Sequence, residues 1–275
     1  MFFNNIMQHL LEEKSNPVNR MYMHEINIKW THFQKLVENE EIVANQLLVD
    51  KLNEFSKALT SRKYQFNYST KNGFKKDSII FSAKFLEDLL DVLMQRQPIL
   101  KNKGIVWGHQ NFHTNIRYEP RTFFDIQSQP MLKYAESPQF LMLAQDIEFR
   151  YRVSCSVKTQ KFHQYQLKLP LIIFHTVKNL TMKELLEFGV YARMAKETFS
   201  KAKTIIVTET IEKGFVPNLA DSKVDSIFIL KKNVPTQEFC ELQIDMVNAL
   251  EEKISDYINE RRTNEEMILK KGIIE

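Results

Sequence analysis

The sequence predicts an α/β fold in which helices pack on a small mixed sheet. Three observations carry this reading. The hydrophobic period changes from helical spacing to strand alternation near residue 145. The second half then reads strand, strand, helix, strand, strand, helix, an alternation that builds layered α/β cores. Thr181 followed three residues later by Glu184 is a capping box, which starts a helix directly after an apolar strand.

Residues 1–60 read as helical, with Leu47, Leu48, Leu52, Phe55 and Leu59 recurring at helical spacing. Residues 61–78 are a polar link with Asn72-Gly73 as turn chemistry. A second helix spans Ser82–Gln95. Phe85, Leu89 and Leu93 lie at i+4 steps with Leu86 and Leu90 beside them, and Pro98 stops it. Residues 99–140 hold Pro120, Pro130 and Pro138 among many aromatics and read as short strands and loops. Phe149, Tyr151 and Val153 alternate within a strand over 145–158, and Leu171-Ile172-Ile173-Phe174 is the continuous apolar run of a strand covered on both faces. The helix capped by Thr181 has an apolar line at Met182, Leu186, Val190 and Met194, joined by Leu185. It ends near Lys203, with Lys196, Lys201 and Lys203 complementing its dipole. Strands follow at Thr204–Thr208 and Val224–Leu230. Pro235-Thr236 opens a last helix with Leu242, Met246, Leu250 and Ile254 in line. No repeat or low-complexity tract interrupts the chain. The expected organisation over 1–275 is one domain: a helical region over 1–100, an α/β core over 135–235 and a closing helix over 236–275.

The 275 residues suffice to bury a core, and 43% apolar with 26% charged is an ordinary globular mix. A formal charge of +4 permits a polyanionic partner without requiring one. Cys155 and Cys240 are too few for a disulfide framework and point to a reducing compartment. No apolar run approaches the roughly 18 residues that cross a bilayer. The opening residues lack the features of a signal peptide, so a cytoplasmic protein away from membranes is expected. The six glycines form no dinucleotide fingerprint, phosphate-cradling loop or nucleophile elbow, so no nucleotide cofactor is expected.

Residues 149–178 contain no Asp or Glu but carry Arg150, Arg152, Lys158, Lys161, Lys168 and Lys178, the footprint of phosphate contact. The competing reading is a solvated face whose counter-charges come from elsewhere. If these residues line one face with Asp146 at its floor, nucleic acid is favoured; if they scatter, a protein-interaction role gains. Asp146 and Glu148 would share a strand face and could hold Mg²⁺, which takes oxygen ligands and keeps several waters. His109 and His113 are four apart but lack the Glu of His-Glu-x-x-His, a weak metal signal.

Four pieces then resemble a known family. Ile80-Phe81-Ser82-Ala83-Lys84-Phe85-Leu86-Glu87-Asp88 is similar to its F-S-x-x-x-L-E-E-F helix, and Gln145-Asp146-Ile147 to its Q-D-F segment. The run from Leu169 to Met182 is similar to I-P-x-I-V-I-E-x-K-T-Y-L-D-K-T-M-L. Ile206-Val207-Thr208-Glu209 and Val224–Lys232 are similar to V-V-T-E and I-D-x-I-Y-V-L-R-K. Together they resemble the PD-(D/E)xK type II restriction endonucleases, in particular the heterodimeric BbvCI-like kind that cuts asymmetric sites, over about 80–255. The resemblance implies a nuclease-like core of mixed sheet and flanking helices, duplex DNA as substrate, a second related nuclease subunit as partner, Mg²⁺ as cofactor and Asp146 as its ligand. Aligned on Thr176 and Thr181-Met182, the family's Glu falls on Ile173, with Phe174 as the other candidate, and its catalytic Lys on His175. Isoleucine cannot ligate a metal, and histidine is a poor substitute for a fixed cation.

Three readings follow. The chain is a DNA-binding subunit with a degraded cleavage centre. Alternatively it is an active Mg²⁺-dependent hydrolase, an endonuclease rebuilt around Glu184 or Glu187 with Lys178 or Lys168. Alternatively it is a non-enzymatic interaction module on an α/β scaffold. Gln166-Leu167-Lys168 imitates a Gln-x-Lys signature but precedes the apolar run by several residues and is set aside.

Overall fold

Helical periodicity places the first layer. The computed structural model describes residues 24, 27–33, 35, 45–60, 68–70, 73–75, 78–120, 130–156, 159–220, 222–231 and 241–271. Most of the helical reading over 1–44, the residues Lys158 and Cys240, and the expected helix start at Pro235-Thr236 lie outside these. Helix α1 (Asn45–Thr60) buries Leu48, Leu52 and Phe55. Helix α2 (Ser78–Gln95) begins four residues before the predicted start and buries the whole stripe from Phe85 to Leu93. Between them, the polar link contains strands β1 (Tyr68–Thr70) and β2 (Gly73–Lys75), paired antiparallel with Thr70 opposite Gly73; the expected turn residue Asn72 lies outside the described residues. Pro98 opens a single 3₁₀ turn, Pro98–Lys101.

The prolines and aromatics of 99–140 form three strands: β3 (Ile105–Gln110), β4 (His113–Pro120) and β5 (Pro130–Glu136). The next two strands are longer than sequence alternation suggested. β6 runs Phe140–Ser156, and β7 runs Thr159–Leu180 without a break. The buried run at Leu171–Phe174 is therefore the second half of a strand whose first half is amphipathic. Strand β8 (Lys203–Ile211) and strand β9 (Ser226–Ile229) follow helix α3 (Met182–Thr198). Helix α4 (Ile244–Lys271) closes the described chain.

The main sheet has the order β3-β6-β7-β8-β9. β3, β6 and β7 are antiparallel neighbours; β8 runs parallel to β7, joined to it through α3, and β9 runs parallel to β8. One face carries Leu141, Leu143, Ile172, Phe174, Ile205, Val207 and Phe228, packed under α1, α2 and α4. The other carries Met142, Ala144, Ile173 and Ile206, packed under α3. β4 and β5 pair separately as a hairpin. Beyond Gln145 and before Ile172, β6 and β7 lose their outer neighbours and continue as a two-stranded ribbon.

Helix α3 corrects one expectation. Its cap is as predicted: Glu184 N donates to Thr181 Oγ1, and Thr181 N donates to Glu184 Oε2. The face it buries is not the Met182-Leu186-Val190 line but Leu185, Gly189, Ala192 and Ala195. The helix lies so close to its neighbours that a Cβ on Gly189 would come within 2.9 Å of the Ser222 carbonyl oxygen. Only small side chains fit that approach. The branched and long apolar residues are turned outward, Met182 52%, Leu186 65% and Val190 56% exposed.

Candidate functional site

Asp146 sits where the sheet gives way to the ribbon. Its amide donates to the Gly104 carbonyl at 2.7 Å, in a turn that Gly104 makes with φ +85°. Its Oδ1 atom is buried and has no hydrogen-bond partner among the described residues. Directly across the antiparallel pair stands Lys168, and Glu148 likewise faces Gln166. Residues opposite one another in such a pair point to the same face. The two carboxylates, Gln166 and Lys168 therefore occupy one surface, that on which α3 packs further along.

Other elements reach this surface. Lys168 Nζ donates to Gln110 Oε1 at the end of β3, and Lys168 N donates to His113 Nδ1 at 3.3 Å. His113 Nε2 stands 3.9 Å from Glu136 Oε1, and the ring meets Tyr134 edge-on at 4.5 Å. Burial lowers the His113 pKa; Glu136 opposes that shift and Lys168 adds to it. The imidazole is thus neutral near pH 7, with Nδ1 accepting and Nε2–H directed toward Glu136.

The arrangement does not bring His175 to Asp146. Seven positions of β7 separate His175 from Lys168, roughly 20 Å at strand rise. His175 is instead 4% exposed, stacked on Phe188 at 4.3 Å and edge-on to Phe140. Burial pushes its pKa down to about 3. Ile173 lies opposite Met142 in the core. Glu184 is occupied as a helix cap at the Leu180 end of β7, away from Asp146, and Glu187 is exposed further along α3. His109 and His113 do not meet: His109 Nε2 is 3.1 Å from Glu87 of α2, on the opposite layer.

Of the six basic residues, Lys158 lies outside the described residues and the other five divide. Arg150 and Arg152 occupy register positions on the same strand face as Asp146 and Lys168. Lys161 occupies the other face, and Lys178 lies near the far end of β7 beside the β8 pairing. The Gln166, Lys168, Gln110 and His113 cluster was not assembled from sequence. Its sequence signal is Gln166-Leu167-Lys168, which precedes the buried run by several residues. That distance is no objection once β7 is one strand. A bulge places Leu143 opposite Ile172 but Ala144 opposite Pro170, and this register sets Lys168 against Asp146.

The donor set bears on a metal. An unpartnered, buried carboxylate oxygen is what a hard cation would accept. No three His, Cys, Asp or Glu side chains among the described residues converge to hold an ion. The described residues thus offer a cation one unpartnered carboxylate oxygen and no enclosing set of ligands.

No family model and no curated relative matches the sequence. Among solved structures, the chain matches one described as native BbvCI A2B2 tetramer at low resolution. The TM-score is 0.58 at 12% identity, over 95% of this chain and 98% of that one. The chain has the fold of a BbvCI subunit. At that identity the likeness is one of fold, and it is the nuclease-like α/β fold that the four sequence pieces predicted. The BbvCI chain belongs to a tetramer of two kinds of subunit, as its description states. No helix among the described residues is long and apolar enough to cross a membrane.

Proposed function

We propose that this chain is a duplex-DNA-binding subunit of a cytoplasmic restriction endonuclease, acting with a related nuclease subunit. The observation that carries this reading is the cross-strand opposition of Asp146 and Lys168 at the base of the β6–β7 ribbon. A carboxylate with a free oxygen beside a fixed ammonium is suited to a phosphodiester. Its oxygen would hold Mg²⁺ with the substrate phosphate, and Lys168 would stabilise charge on the phosphate or position water. Mg²⁺, when bound, would supply Lewis-acid polarisation of the phosphoryl oxygen and activation of water. Gln166 stands opposite Glu148, and a neutral amide is a weaker metal ligand than a carboxylate. A centre short of one acid is expected to cleave slowly or not at all without a partner subunit. Two-stranded ribbons enter the DNA major groove, and Arg150 and Arg152 hold register positions on this one.

A second reading, an active Mg²⁺-dependent endonuclease, is favoured by the unpartnered Oδ1 atom of Asp146. One experiment separates the two. The purified chain is assayed for DNA binding across a salt series and for nicking of supercoiled plasmid with Mg²⁺. Binding that weakens steeply with salt, without nicks, supports the subunit reading. Nicks at one sequence that vanish in Asp146→Asn and Lys168→Ala, with binding retained, support the active reading. Arg150→Ala with Arg152→Ala should lower the salt slope by about 2. An absence of DNA affinity sinks both readings.

A further inference from the structure

We propose that helix α3 is the contact with a second copy of this chain, an antiparallel two-fold helix pair centred on Val190. This goes beyond the DNA-binding reading and does not rest on it. Met182, Leu186 and Val190 repeat at i+4 and form an outward apolar stripe more than half exposed at each position. A stripe of this kind on a helix otherwise packed against a sheet marks an interaction surface. The charged residues beside it supply the occupant. Lys183, Glu187, Arg193 and Glu197 are all exposed, and none forms an ion pair with another described residue.

Their order is self-complementary. Lys183 and Glu197 lie equally far before and after Val190 with opposite charge, and so do Glu187 and Arg193. Reversing a second α3 about Val190 sets Lys183 beside Glu197 of the second copy, twice by symmetry. It brings Glu187 level with Arg193 of the second copy, and Leu186 level with Met194. A parallel pairing would set like charges together. An isologous two-fold contact requires one surface to match its own reversal; an unrelated partner would impose no such symmetry. The near balance of charge on this face, with its apolar centre, also distinguishes it from a phosphate-binding surface.

The test is sedimentation velocity on the full chain from about 1 to about 100 µM. The expected result is a dimer that Leu186→Glu converts to a monomer with unchanged far-ultraviolet circular dichroism. Lys183→Glu and Glu197→Lys, each alone, replace two attractive contacts per dimer by two repulsive ones and should weaken it about tenfold. Mixing the two variants restores both attractive contacts, so the mixture should dimerise as tightly as the wild type. A wild-type monomer throughout the range, or a dimer indifferent to Leu186→Glu, overturns the proposal. A mixture no tighter than the separate variants overturns the antiparallel arrangement.

Discussion

His175 shows how one side chain's surroundings decide its role. Stacked on Phe188 and cut off from water, it leaves Nε2 buried with no hydrogen-bond partner. Desolvation disfavours the charged ring, and its pKa is pushed down to about 3. The pH dependence follows. Above the ordinary value of 6.5, neither folded nor unfolded chain holds the proton. As pH falls from there toward 3, the unfolded chain takes it up and the folded chain does not. Stability is lost across that window by up to about 1.4 kcal/mol per pH unit. His175→Phe keeps an aromatic ring against Phe188 and removes both the orphaned nitrogen and the titration. Urea denaturation at pH 7.5 and pH 5 should show the wild type losing more stability than the variant. Equal losses would exclude this account. DNA binding should be unaltered in the variant, since His175 lies remote from Asp146.

At the scale of the element, helix α3 is held by its ends and by its smallest residues. The capping box satisfies amides at its first turn, so Thr181→Ala should cost about 1 kcal/mol by denaturant midpoint. Gly189→Ala should cost more, because the added Cβ meets backbone, the Ser222 carbonyl, which cannot rotate away. A change of the opposite rank would mean that the helix can move off the 222 loop. The periodicity of this segment contains two competing lines. Hydropathy favours Met182-Leu186-Val190, yet close packing selects Leu185-Gly189-Ala192-Ala195, because the small residues along this line let the helix press against its neighbours. Only the later part of strand β7 is legible as a strand, for a related reason. Its first half forms the ribbon and keeps polar positions, whereas its second half is covered by helices on both faces. A strand crossing two environments shows a continuous apolar run only where both faces are covered.

Across the whole molecule, the parallel side of the sheet is tied to the layer above it by a buried ion pair. Lys231 Nζ donates to Glu209 Oε2 at 2.7 Å, with both side chains only 7% exposed. Lys231 also bridges to Leu242 just before α4, so the pair joins β8 to the entry of the closing helix. Lys231→Met removes the buried ammonium that faces Glu209 and should destabilise the fold by about 3 kcal/mol. Replacing both, Glu209→Leu with Lys231→Met, should recover much of that loss in thermal or urea melts. A single variant as stable as the wild type would show that the remaining carboxylate finds other partners. The helices above the sheet are tied further by Asn45, whose Nδ2 donates to Asn248 Oδ1 at 2.8 Å and Glu251 Oε2 at 2.7 Å, joining α1 to α4.

By itself the sequence determined what depends on neighbours along the chain. The α2 stripe, the Thr181 cap, the buried run at Leu171–Phe174 and the strand at Thr204–Thr208 each follow from spacing within a few residues. The four family-like pieces, in order, were enough for the fold. The sequence also singles out Asp146, which β6 carries in its interior rather than near its start. Only the tertiary structure decided which residues stand beside it. Lys168 lies more than twenty positions later, and its place opposite Asp146 is set by the β6–β7 register and the bulge at Leu143/Ala144. A slip of one residue would turn Lys168 to the other face of the sheet. The outward turn of Met182, Leu186 and Val190 was likewise decided by how closely α3 approaches the Ser222 backbone, a distance that no local pattern encodes.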